Sequence, residues 1–152
     1  MTANLEHTDQ QILALLARDG RMSFTDIGRA TGLSTSAAQQ RVRRLEQRGL
    51  ITGYHAELNA DLLGRKLTAI ISVRAMGDTR DDDIIAVLAE MPEISTCFSV
   101  AGDASCVCLA QVADPAELDR LLIRIRHLAK VSTSTTVALT TYFLNRPLVD
   151  EP

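Results

Sequence analysis

Apolar and polar positions along this chain follow a helical rhythm first and a strand rhythm later. After Leu5, the residues Ile12, Leu13, Leu16 and Ala17 recur at helical spacing. Thr8 and Gln11 have the spacing of a capping box, and Gly20 suits the left-handed position that ends a helix, so the pattern predicts a first helix closing at Arg18-Asp19-Gly20. Ser23 and Asp26 resemble a second N-terminal cap, with Phe24, Ile27 and Ala30 as the expected buried stripe. Thr31-Gly32-Leu33 reads as a turn, and Ser34 as the cap of a third helix. Counted from Ala38 at about 100° per residue, Ala38, Val42 and Leu45 fall within about 40° of one another. Ser36, Gln40, Arg43 and Gln47 lie opposite, flanked by Gln39 and Arg44. The two short helices joined at Gly32-Leu33 read as a helix-turn-helix whose second helix is basic.

Gly49-Leu50-Ile51 and Gly53 to Leu58 then read as a strand, either a small wing or the start of a connector. The turn-rich stretch from Asn59 to Gly64 marks a boundary. The expected division is a DNA-binding domain with connector strand over 1–59, a linker over 60–65 and a second domain over 66–152.

The second half is richer in β-branched residues. Lys66 to Met76, Ile94 to Ala101, Ser105 to Ala113 and Val131 to Leu144 read as strands, with a hairpin signal at Gly102-Asp103. Asp81-Asp82-Asp83 opens a helix, Ile84 to Met91, that Pro92 closes; acids suit its positive dipole end better than they suggest a metal site. Asp114-Pro115-Ala116-Glu117 starts another helix, burying Leu118, Leu121, Leu122, Ile125 and Leu128. The order is β-α-β-β-α-β, a ferredoxin-like arrangement in an α+β chain. Helices cover one face of such a sheet, so the other is expected to be covered by a second copy.

Composition and charge refine this outline. The 46% hydrophobic content supports a normal core, while the apolar runs are too short for a membrane span. The sequence MTANLEHTD shows no secretory pattern, and a cytoplasmic location is expected. The net charge of −3 would argue against nucleic acid if it were spread evenly. It is not: Ser34 to Arg48 holds four arginines and one acid, Glu46. Arg pairs with guanine or phosphate, and Gln pairs bidentately with adenine. The expected DNA contacts are Ser34, Ser36, Gln39, Gln40, Arg41, Arg43 and Arg44. Arg41 and Arg48 sit beside the buried stripe, so at least one is expected to brace the helix or touch phosphate. Cys97, Cys106 and Cys108 lack paired CxxC spacing and read as small buried hydrophobes. Neither a metal site nor a cofactor is expected.

These residues closely resemble the Lrp/AsnC (feast/famine) family of transcriptional regulators. The matching positions run Leu5, Asp9, Ile12-Leu13, Leu16, Asp19-Gly20-Arg21, then Gly32-Leu33-Ser34, Arg41-Val42, Leu45-Glu46, Gly49-Leu50-Ile51 and Gly53-Tyr54. Leu63-Gly64 and Val100-Ala101-Gly102-Asp103 extend the match. The resemblance implies an N-terminal winged helix-turn-helix and a C-terminal RAM-type domain for effector binding and oligomerisation. It further implies homodimers assembling to octamers, double-stranded DNA with a pseudopalindromic operator as partner, and an amino acid effector held between dimers. Carried over to this chain, the effector cleft is expected at Gly102, Asp103, Ala104 and Ser105, with Thr133 and Thr135. Many members of the family have an Asp where this chain has Ser105, which leaves Asp103 to meet an effector's ammonium.

Two other readings compete. An effector-independent architectural DNA protein would share every feature of the helix-turn-helix. The fold is also similar to that of haem-precursor decarboxylases, but His7, His55 and His127 do not cluster in sequence and no nucleophile–base pair is apparent, so no enzyme activity is expected.

Overall fold

The computed structural model describes residues 5–146. The chain divides into two compact units between Glu57 and Leu58, and residues 143–146 group with the first. The segment from Asn59 to Arg65 belongs to the second unit. It is held as turns by Leu63 N–H to Asn59 O at 3.2 Å and Arg65 N–H to Ala60 O at 2.8 Å.

The first unit contains α1 (His7–Arg18), α2 (Phe24–Thr31) and α3 (Thr35–Gln47). Ile12, Ile27, Ala38, Val42 and Leu45 form its buried centre, and Leu13, Leu16, Leu33, Leu50 and Ile51 pack around it. The stripe on α2 is narrower than expected: Ile27 and Gly28 are buried, whereas Phe24 and Ala30 are exposed. Gly28 is buried because backbone passes over it; a Cβ there would lie 2.6 Å from Leu33 O. Gly32, at φ 72°, takes the left-handed position that closes α2, with its N–H on Gly28 O.

Three local expectations differ in this unit. Thr8 does not cap α1; the N-cap is Glu6, with no side-chain cap bond, and its carboxylate is engaged by Arg41 instead. Gly20 is not left-handed. Its lack of a side chain lets Tyr54 close in, since a Cβ would stand 3.3 Å from the Tyr54 ring. No strand forms over residues 49–58, so the expected wing is absent among the described residues. The Leu45 carbonyl accepts from the N–H groups of both Leu50 (2.9 Å) and Ile51 (3.3 Å), which folds the chain back onto the helical core.

The second unit is βαββαβ: β1 (Leu67–Ala75), α4 (Asp81–Ala89), β2 (Ile94–Ser99), β3 (Cys106–Val112), α5 (Pro115–Ala129) and β4 (Val131–Ala138). The sheet is antiparallel in the order β2-β3-β1-β4. One face is closed by Ile84 and Leu88 of α4 and by Leu118, Leu121, Ile125 and Ala129 of α5. They pack against Ala69, Ile71, Val73, Cys106, Cys108, Ala110 and Val112. Leu128, expected in this core, is exposed, and Ala129 takes the buried position. Asp114 caps α5 by accepting from Glu117 N–H at 2.8 Å, as the sequence signals, and Glu117 accepts from Ala113 N–H at 2.6 Å. The last strand stops at Ala138 rather than Leu144; its partner among the described residues is β1, and Ala138 faces Thr68 near the start of that strand. Alternation puts Ile70, Phe98, Val107 and Leu109 on the sheet face away from the helices, with Ile70 and Phe98 exposed. Among the described residues, no helix is long and apolar enough to cross a membrane.

Candidate nucleic-acid interface and ligand pocket

Ser34 starts α3 by accepting from Ala37 N–H at 3.2 Å, and its hydroxyl lies 3.2 Å from that of Ser36. Burial of Ala38, Val42 and Leu45 fixes the rotation of the helix about its axis. Ser34, Ser36, Gln40, Arg43 and Arg44 are consequently exposed, and Gln39 is half-buried. No acidic partner is found for Arg43 or Arg44 among the described residues, so two guanidiniums and an amide face outward together.

Arg41 is placed differently. Its guanidinium donates to Asp9 Oδ1 at 2.8 Å and to Glu6 Oε2 at 2.9 Å. Asp9 is 5% exposed, so the pair ties α3 to α1 at the edge of the core. The hydrogen bonds it donates to Asp9 and Glu6 raise the Arg41 pKa further. Arg48 approaches the same Asp9 at 4.0 Å. Arg41 therefore braces the helix, one of the two roles expected for at least one of Arg41 and Arg48. Tyr54 acts similarly from the other end of α3, donating its hydroxyl to Glu46 Oε1 at 2.9 Å.

In the second unit a hollow of about 340 Å³ opens where β1, β4 and the β2–β3 connection meet. Asp103, Ala104 and Thr133 line it, as do Ser72, Arg74, Ser132 and Ser134. Arg74 and Asp103 form an ion pair of 3.3 Å at this point. Gly102, Ser105 and Thr135 are not among the lining residues. Ser105 is committed to the backbone: its N–H bonds Val73 O at 2.8 Å, and its hydroxyl accepts from Ala75 N–H at 3.3 Å. Sequence reasoning missed the four residues on β1 and β4. Arg74 carried a signal, as the one charge inside the alternating apolar run from Leu67 to Ala75, and Ser132 and Ser134 alternate in register with it. A larger hollow, about 510 Å³, lies by Asp78, Asp83 and Lys130. Its charges are two acids against one cation, which suits a zwitterion less well than the matched pair Arg74 and Asp103.

None of His7, His55 and His127 belongs to a cluster of potential metal ligands. Among the described residues the only cluster close enough to hold an ion is Cys97, Cys106 and Cys108. Cys106 and Cys108 are buried as expected, but Cys97 is exposed.

Residues 5–46 match the AsnC-type helix-turn-helix domain, and residues 68–148 match the Lrp/AsnC ligand binding domain. The HTH-type transcriptional regulator LrpA of Mycobacterium tuberculosis is 39% identical over 96% of this chain and 97% of its own. The leucine-responsive regulatory protein of Haemophilus influenzae is 36% identical over 78% of this chain and 72% of its own. A solved structure of the feast or famine regulatory protein of M. tuberculosis complexed with L-methionine is 38% identical. It superposes with a TM-score of 0.89, covering 96% of this chain and 99% of that one.

Proposed function

This chain belongs to the Lrp/AsnC family of transcriptional regulators, and from that premise we propose that its α3 reads operator DNA while the pocket beside Arg74 and Asp103 takes an amino acid. The observation that carries the first half is the outward group of Gln40, Arg43 and Arg44, with no acidic partner among the described residues, on a helix whose rotation is fixed. In the major groove of duplex DNA, Gln40 and Gln39 face base edges, and Arg43 and Arg44 face guanine or phosphate. Ser34 and Ser36, at the N-terminus of the helix, suit a phosphate.

For the second half, Arg74 offers a partner to a carboxylate and Asp103 to an ammonium, with Ser72, Ser132, Thr133 and Ser134 supplying hydroxyls. Asp103 does what Ser105 cannot, since Ser105 is uncharged and tied to backbone. The exposed sheet face with Ile70 and Phe98 supports a homodimer, and a two-fold dimer implies a pseudopalindromic operator. Assembly of dimers to an octamer would give an amino acid bound between them a route to the DNA-binding heads, with coupling in the linkage sense. The protein regulates transcription rather than catalysing a reaction, and it acts in the cytoplasm where its DNA lies.

Operator titration with and without each amino acid, on wild type and Arg74→Ala, tests the reading. At least one amino acid should shift wild-type affinity, and the variant should respond only at higher ligand concentration. No binding by any amino acid in calorimetry, with operator affinity intact, would support the architectural role instead.

A further inference from the structure

The sulfur atoms of Cys97, Cys106 and Cys108 all lie within 4.8 Å of one another, and those of Cys97 and Cys108 are 3.3 Å apart. The topology explains the convergence. Cys106 and Cys108 alternate on β3 and so share its helix-covered face, and Cys97 stands directly opposite Cys108 on the edge strand β2. Three thiolates around a metal at the zinc–sulfur distance of about 2.3 Å would stand about 4 Å apart in a trigonal plane, between the separations seen here. A small hollow of about 130 Å³ between α4 and β2 has Cys97 in its wall and gives an approach from solvent.

We propose that Cys97, Cys106 and Cys108 form a three-thiolate site for a soft, thiophilic divalent cation. All three donors are sulfur, which selects soft ions over magnesium or calcium. Exposed Cys97 is the first ligand an entering ion meets, and Cys106 and Cys108 close over it from within. Binding converts three thiols and one divalent cation into a metal tris-thiolate with one negative charge and three protons released to solvent. The ion would staple edge strand β2 to β3 and so stabilise the second unit.

The test is titration of the full-length, fully reduced protein with Cd(II), following the sulfur-to-metal charge-transfer band, proton release and thermal stability. One equivalent should bind, release three protons and raise the Tm, and zinc should compete where magnesium does not. Loss of an outer-sphere partner costs roughly 10–100-fold in metal affinity, so loss of a direct ligand should cost at least about tenfold. Cys97→Ser, at an exposed position, and Cys106→Ala should each show that loss, with folding checked by circular dichroism. No charge-transfer band in the reduced wild type, or an unchanged affinity in the folded Cys97→Ser protein, would overturn the proposal.

Discussion

Arg41 and Arg43 are separated by about 200° of helical rotation, so they leave α3 on different sides. Arg41 turns inward to Asp9 and Glu6, while Arg43 is exposed and has no acidic partner among the described residues. Removing Arg41 would leave the Asp9 carboxylate short of its best partner near the core. Arg41→Ala is therefore expected to lower stability by about 1–3 kcal/mol, read from denaturant unfolding. A midpoint equal to wild type would contradict the brace. The angular count from Ala38 is enough to separate buried from outward positions on α3, because helical period is a local property. It does not find the Asp9 partner, which lies 32 residues away in sequence and is brought close only by packing. For the same reason Arg74 and the serines of β4 do not stand out in the sequence as a site. Their meeting depends on the register that places Arg74 opposite Ser132.

Among the elements, the helix-turn-helix depends on one close approach of backbone to α2. Gly28→Ala would drive a methyl to 2.6 Å from Leu33 O, where a carbonyl cannot move without unseating the turn. It should cost about 1–3 kcal/mol in thermal or chemical unfolding, and loss of less than half of that would show the turn to be plastic. In the second unit, Glu93 links the start of β2 to α5 by accepting from Arg124 at 2.7 Å. Burial pushes its carboxyl up, but its own backbone N–H, the Arg124 guanidinium and the charge of Arg65 outweigh this and hold it below 4.5. A depressed carboxylate adds stability above its unfolded pKa, and that stability is lost as pH falls through the folded value. The wild-type advantage over Glu93→Gln should thus be full above about pH 5 and shrink below pH 4.5; a gap independent of pH would contradict the linkage. Helices and strands were legible here because their caps and alternation are local. The wing was not: Gly49 to Leu58 has strand-like composition, but the N–H groups of Leu50 and Ile51 go to the Leu45 carbonyl.

For the whole molecule, sequence alternation alone predicts a sheet with one uncovered face, and Ile70 and Phe98 stand on it in the structure. Ile70→Asp should shift the protein to monomer in analytical ultracentrifugation while each chain stays folded; an unchanged sedimenting mass would place the dimer contact elsewhere. DNA recognition by this chain rests on the outward face of α3. It is tested most directly by genomic footprinting of the wild type beside Gln40→Ala and Arg43→Ala. Pseudopalindromic sites are expected for the wild type, with Gln40→Ala relaxing preference by ~1–3 kcal/mol at one base pair of each half-site. Arg43→Ala should weaken occupancy throughout and reduce the salt slope by roughly 1 if its contact is to phosphate. Protected sites whose sequence and occupancy are the same in all three proteins would contradict it.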